Sequence, residues 1–147
     1  MPRIRITLPQ AFHFSCTIPV RVTDINYGGH VGNDSLLGMI HEARVQFLHR
    51  LGYTELLMEG VGLIMADAAI EFKSEAFMGE SLIVSVTAGD IHRAGFDLYY
   101  LLEKEVAGKK VRVAVAKTGM ICFDYALRKI VPLPDAALQK LETVALP

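Results

Sequence analysis

The residues of this chain best suited to chemistry lie between Thr23 and Asn33, which read Thr-Asp-Ile-Asn-Tyr-Gly-Gly-His-Val-Gly-Asn. Asp24, Asn26 and His30 are polar side chains that can together hold and activate a water molecule. Gly28 and Gly29 can take positive φ and let a ligand approach the backbone closely. A helical pattern follows directly, and a helix start offers free N–H groups and about half a positive charge. A backbone N–H near Gly29–Val31 is a candidate donor to a developing oxyanion, worth on the order of 10²–10³ in rate. The competing reading is structural: Asp24 and Asn26 only satisfy the turn through side-chain hydrogen bonds. Composition and spacing leave both open.

The elements around this turn follow from periodicity. Asn33, Asp34 and Ser35 are all good N-cap types and Gly52 is a good C-cap. Between them the spacing predicts a helix whose apolar face is Leu36, Leu37, Ile40, Ala43, Phe47, Leu48 and Leu51. Glu42 falls on the polar face, where catalysis, solvation and a subunit contact are all open to it. Arg44 projects within the apolar arc, either snorkelling to the rim or paired with a buried carboxylate. Phe12–Val22 alternates with period two, with Pro19 favouring a sheet edge or a bulge. Residues 3–8 alternate too and predict a short strand closed by Pro9. Thr54–Glu59 reads as a short helical piece. Val61–Phe72, Ser81–Arg93, Phe96–Glu103 and Val111–Asp124 read as strands separated by turns at Gly79, Gly95 and Gly108. Asp135–Val144 reads as a C-terminal helix. Short turns join antiparallel neighbours. The class is therefore α+β, an antiparallel sheet with one main helix on one face, in a single domain spanning residues 1–147.

Composition excludes several classes. The net charge is −1, so nothing calls for nucleic acid or an anionic membrane. No uncharged apolar run reaches the ~18 residues of a spanning helix, and the N-terminus has no apolar signal core. The chain is 52% hydrophobic, which one helix on one sheet face does not hide, so a dimer that extends or stacks the sheet is expected. Cys16 and Cys122 lie in strand-like runs and read as packed thiols of a cytoplasmic protein, with a disulfide between neighbouring strands as the alternative. The histidines lack metal-ligand spacing, and Gly60-Val61-Gly62 is no dinucleotide fingerprint, because no strand precedes it. No metal or cofactor is expected.

Several stretches share one pattern. Arg21, Asp24, Asn26, Gly29, His30, Val31 and Asn33 precede a helix containing Glu42-Ala43-Arg44. Ala76-Phe77-Met78-Gly79-Glu80-Ser81-Leu82 follows a strand, then comes the turn Arg93-Ala94-Gly95-Phe96. The strand ending Cys122-Phe123-Asp124 leads to Val131-Pro132-Leu133-Pro134. In this order the chain resembles the acyl thioesterases of the hotdog fold, the group around 4-hydroxybenzoyl-CoA thioesterase, over nearly its whole length.

The resemblance implies a long helix wrapped by an antiparallel sheet, paired into homodimers or homotetramers with sites at the subunit interface. It implies an acyl thioester of coenzyme A or of acyl carrier protein as substrate, coenzyme A being part of that substrate. Hydrolysis would use an activated water, with Asp24 or Glu42 as base or orienting group and Asn26 and His30 positioning water or polarising the carbonyl. Gly29, Val31 and Asn33 would line the site. The coenzyme's phosphates need cations, for which Lys73, Arg93, Lys104, Lys109, Lys110 and Arg112 are candidates, Arg93 first. One departure stands out. Asn26 occupies the position where one branch carries its acting acid, and asparagine is neither base nor nucleophile. A non-catalytic acyl-CoA binder and a hotdog hydratase of enoyl or hydroxyacyl thioesters are the alternatives.

Overall fold

A computed structural model describes residues 3–145. The elements run β1 (Phe14–Pro19), a 3-10 turn (Val22–Asp24), α1 (Asn33–Arg50), β2 (Gly62–Phe72), β3 (Ser81–His92), β4 (Gly95–Val106), β5 (Lys109–Asp124), β6 (Lys129–Ile130) and α2 (Asp135–Ala145). The strands form one antiparallel sheet in the order β1-β3-β4-β5-β2, with β6 beside β5. This is the hotdog arrangement, a long helix held in a curved antiparallel sheet.

Period two explains which sheet face meets α1. Leu82, Val84, Val86 and Ala88 of β3 and Phe96, Leu98, Tyr100 and Leu102 of β4 all point inward and are buried. Across the register, Leu98 faces Thr118, Tyr100 faces Ala116 and Leu102 faces Ala114. Small residues on β5 leave room for α1, whose buried stripe is Leu36, Met39, Ile40, Ala43, Arg44, Phe47 and Leu48. Leu37 departs from the predicted face: it is exposed, and Met39 takes its place in the core. At 100° per residue Leu37 points between Arg44 and Leu48, which are buried further along the helix, so its exposure comes from its position near the helix start rather than from its direction.

The helix ends as its glycine predicts. Gly52 has φ +87°, its N–H donates to the His49 carbonyl at 2.9 Å, and the Tyr53 N–H reaches the Leu48 carbonyl at 2.8 Å. That pair of bonds is a Schellman cap, with both Tyr53 and Leu48 buried.

Two expected elements do not form. Residues 3–8 make no strand, because no sheet edge receives them; the Ile6 N–H instead donates to the Glu71 carboxylate of β2 at 2.6 Å. Glu71 faces away from α1, and β1 lies at the opposite edge, so the N-terminal segment crosses the outer face of the sheet. Thr54–Glu59 is a set of bends and not a helix. Its backbone groups are taken by close partners: Leu63 N–H to the Glu55 carbonyl at 2.6 Å and Met58 N–H to the Val61 carbonyl at 2.7 Å. Pro19 lies on β1, an edge strand, where a missing donor costs no ladder bond.

Arg44 is 6% exposed and paired. Its Nε donates to Glu55 Oε1 at 2.9 Å and one terminal nitrogen to the Tyr100 hydroxyl at 3.3 Å. Burial opposes the charge, but Tyr100 and Glu55 more than offset it, so the guanidinium is held above its ordinary pKa. Cys16 and Cys122 are free thiols on β1 and β5, which are not neighbours. Burial pushes the Cys122 thiol up to about 11.

Candidate active site

The turn before α1 is a tight hairpin. Ile25 and Val31 form an isolated bridge, the Asn26 N–H donates to the His30 carbonyl at 2.9 Å, and the Gly29 N–H returns to the Asn26 carbonyl at 3.0 Å. Gly29 has φ +83°, a conformation that a side chain would strain. The Asn26 carboxamide oxygen accepts the Gly28 N–H at 2.9 Å, so Asn26 builds the turn as well as facing it. Asp24 is buried; its Oδ2 accepts the Arg21 N–H at 2.8 Å and caps the 3-10 turn. Its carbonyl accepts the Gly32 N–H at 3.0 Å, which sets the angle at which the chain enters α1.

His30 sits at the far side of this hairpin. Its Nδ1 lies 3.1 Å from the Val31 carbonyl. A carbonyl only accepts, so that contact puts a hydrogen on Nδ1, and in the neutral ring the lone pair is then on Nε2. Nε2 lies 3.8 Å from Glu75 Oε2. A Cβ built on Gly28 would stand 3.2 Å from both the Asn26 carboxamide oxygen and His30 Nε2, so those two groups flank a gap that only glycine leaves.

The first turn of α1 divides two cavities. One, of about 510 Å³, is lined by Arg21, Asp24, Ser35, Glu42 and Gln46 and by the apolar Ile18, Pro19 and Met39, so it is mixed where the other is mainly apolar. The other, of about 760 Å³, is lined by His30, Val31, Asn33, Leu36, Glu75 and Phe77, then by β4 and β5 residues. The predicted site residues therefore separate. Asp24 and Glu42 line the smaller cavity; His30, Val31 and Asn33 line the larger one. Glu42 is exposed and accepts a bond from Gln46 at 2.8 Å. It lies nine residues along α1 from Asn33, about 13 Å along the axis, and shares its cavity with Asp24 and Ser35 rather than with His30. Arg93 lines neither cavity. It stands in the β3–β4 turn, in a recess with Asp135, Leu138 and Glu142 of α2.

The donors also sort themselves. The Gly29 N–H goes to Asn26 and the Val31 N–H to the Ala76 carbonyl at 2.9 Å. The first turn of α1, by contrast, has Gly32 at its N-cap and no side-chain cap. Its N–H groups at Asn33, Asp34 and Ser35 have no acceptor within the helix, and Asn33 lines the larger cavity while Ser35 lines the smaller. Sequence reasoning missed Glu75 and the function of Lys104. Glu75 immediately precedes the Ala76-Phe77 motif. Lys104 continues the inward phase of Phe96, Leu98, Tyr100 and Leu102, so a lysine there signals a buried amine. No group of three or more His, Cys, Asp or Glu among the described residues is arranged to hold a metal ion.

A family profile described as the thioesterase-like superfamily matches residues 20–141. The chain belongs to the thioesterase-like superfamily. That membership supports thioester hydrolysis in general as its reaction class. The thioesterase fold is shared with solved structures of low identity. A 1,4-dihydroxy-2-naphthoyl-CoA thioesterase from Synechocystis is 24% identical, with TM-score 0.78 over 91% of this chain and 98% of that one. A mutant 4-hydroxybenzoyl-CoA thioesterase complexed with 4-hydroxybenzoyl-CoA is 13% identical, with TM-score 0.79 over 87% and 97%. A thioesterase-superfamily protein from Jannaschia sp. CCS1 is 15% identical, with TM-score 0.82 over 99% and 97%. A comparison with curated proteins finds no match.

Proposed function

We propose that this protein hydrolyses an acyl thioester of coenzyme A or of an acyl carrier protein to the free acid and the thiol, with His30 as the base. The observation that carries the reading is the position of His30, its neutral ring holding the lone pair on Nε2 beside the uncapped first turn of α1. The thioester carbonyl lies over that turn, where the N–H groups of Asn33, Asp34 and Ser35 stabilise the developing oxyanion. Asn26 orients a water on the near side. Nε2 takes one proton from the water as its oxygen bonds to the carbonyl carbon. The tetrahedral intermediate then collapses, the C–S bond breaks, and the imidazolium returns its proton to the departing thiolate. Glu75, 3.8 Å from Nε2, stabilises the imidazolium between the two transfers. Asp24 shapes the turn and does not exchange protons.

The chain works as a homodimer or larger homo-oligomer. β2 is an outermost strand of 11 residues, with Met65 and Phe72 exposed on it. A long apolar edge of this kind pairs with another strand, and β2 of a second copy is the natural complement. The family resemblance points the same way, with the site between subunits.

Asn26 favours a second reading, a non-catalytic acyl-CoA binder, because its side chain holds no proton to move. A panel of acyl-CoAs with a thiol reagent decides between them. Thiol release above the uncatalysed rate is the expected result. Saturable binding with no release would select the binder, and water addition to a crotonyl thioester would select a hydratase.

A further inference from the structure

We propose that the larger cavity seats an uncharged, apolar acyl chain and that Phe77 sets the length of chain it accepts. This rests on the thioesterase reading above and adds to it the class of acyl group and a specificity-determining residue.

The first support is the walls. Beyond His30 the cavity is bounded by Leu36, Phe72, Phe77, Val106, Val111 and Val113. The charged groups that reach it are already engaged. Lys104 Nζ donates to the Glu75 carbonyl at 2.6 Å and to Glu80 Oε1 at 3.2 Å. Lys73 pairs with Glu71 at 3.2 Å, and the Glu75 carboxylate faces His30. An acyl group carrying its own carboxylate would find no unpaired cation here and would lose its hydration against valines. The other cavity, with Arg21, Asp24, Glu42 and Gln46, suits the polar arm of the thiol carrier instead. A thioester bridging the first turn of α1 thus has one mixed, charge-bearing side and one mainly apolar side to fill.

The second support is the way Phe77 is held. It is 44% exposed, yet its position is fixed from several directions. Its own N–H donates to Glu80 Oε1 at 2.7 Å, the oxygen that also receives Lys104. Lys104 Nζ lies 5.1 Å from its ring centroid. Before it the chain is anchored at the Glu75 carbonyl by Lys104 and at the Ala76 carbonyl by the Val31 N–H, and its own carbonyl accepts the Glu80 N–H at 3.1 Å. A large ring fixed at a cavity wall without being buried is a stop against which a ligand packs. Lys104, only 8% exposed, is the residue that positions it.

The test is calorimetric binding of S-alkyl-CoA thioethers, which cannot be hydrolysed, alongside kcat/KM for the matching acyl-CoAs. Straight chains of increasing length are compared with succinyl and benzoyl analogues, on wild type, Phe77→Ala and Phe77→Leu. In wild type each added methylene should tighten binding about fourfold until a limiting length. The succinyl analogue should bind at least ~100-fold more weakly than the straight chain of equal length. Phe77→Ala should move the limit to longer chains, with Phe77→Leu between. A limit unchanged in both variants, or tighter binding of the succinyl or benzoyl analogue, would overturn the proposal. Length-dependent binding without turnover would retain it and overturn the hydrolytic reading instead.

Discussion

At the scale of single residues, the question is which polar side chain near the helix start does chemistry and which does construction. Asp24 and His30 look alike in the sequence, six positions apart on one turn. Their surroundings divide them. Asp24 is 7% exposed and its carboxylate is committed to the Arg21 N–H, whereas the His30 ring lines the larger cavity and, among the described residues, its Nε2 makes no hydrogen bond to the backbone. Asp24→Asn keeps an acceptor oxygen for Arg21 but loses the charge on that bond and on the Arg21 side chain, 3.6 Å away. It should lower stability by about 1 kcal/mol and leave kcat within a few-fold. Urea unfolding together with steady-state kinetics checks both. A collapse of kcat at unchanged stability would make Asp24 the base. The sequence located this turn from glycines, an N-cap cluster and three polar side chains, all local signals. It could not separate the two cavities, because Glu75 reaches His30 from a loop 45 positions away, and only the fold brings them together.

At the scale of elements, α1 is tied to its surroundings by Arg44, and this was half legible. A charged residue within an apolar stripe marked a special position, but its partners come from a loop and a strand far along the chain. Arg44 joins α1 to Glu55 of the bend region and to Tyr100 of β4, whose hydroxyl lies 2.7 Å from Thr118 of β5. The same carboxylate oxygen of Glu55 stands 3.2 Å from His41, so one residue of an irregular segment pins two positions of the helix. That explains why Thr54–Glu59 is no helix: its backbone is committed to holding Glu55 under α1. Arg44→Met should cost about 2–3 kcal/mol, less than the 3–5 of a fully buried pair because Glu55 keeps contact with water. Thermal unfolding measures it, and a loss under ~1 kcal/mol would mean that the ion pair is incidental. Strands β2, β3 and β5 match their sequence bounds to within two residues, since alternation and turn glycines are local, whereas β1 is shorter than Phe12–Val22, β4 runs on to Val106, and β6 carries no such signal. The N-terminal strand does not form for a non-local reason: alternation at residues 3–8 does not say that an edge is free to pair, and Ile4 of that pattern stays exposed.

At the scale of the whole molecule, the hotdog arrangement leaves the edge strand β2 and the cavity beside His30 open together, since Phe72 belongs to both. A second copy pairing along β2 would bring its own residues to the rim of that cavity, which links assembly to activity. The chain's mass is 16.2 kDa. Light scattering should therefore return at least twice that value for active protein, and a fully active monomer would contradict the interface. The fold class and the superfamily were legible because the sheet pattern, the helix and the closing Val-Pro-Leu-Pro run in one order. The mechanism was less so, because Asn26 stands where an acid was sought and the replacement base lies four residues further on. The most direct test is therefore kcat for hydrolysis of a good acyl-CoA substrate by His30→Ala, with Glu42→Gln as the companion variant. The account predicts a loss of at least ~10²-fold for His30→Ala at unchanged melting temperature, and a change of no more than about twofold for Glu42→Gln. Wild-type turnover by His30→Ala, or a comparable loss in Glu42→Gln, would contradict it.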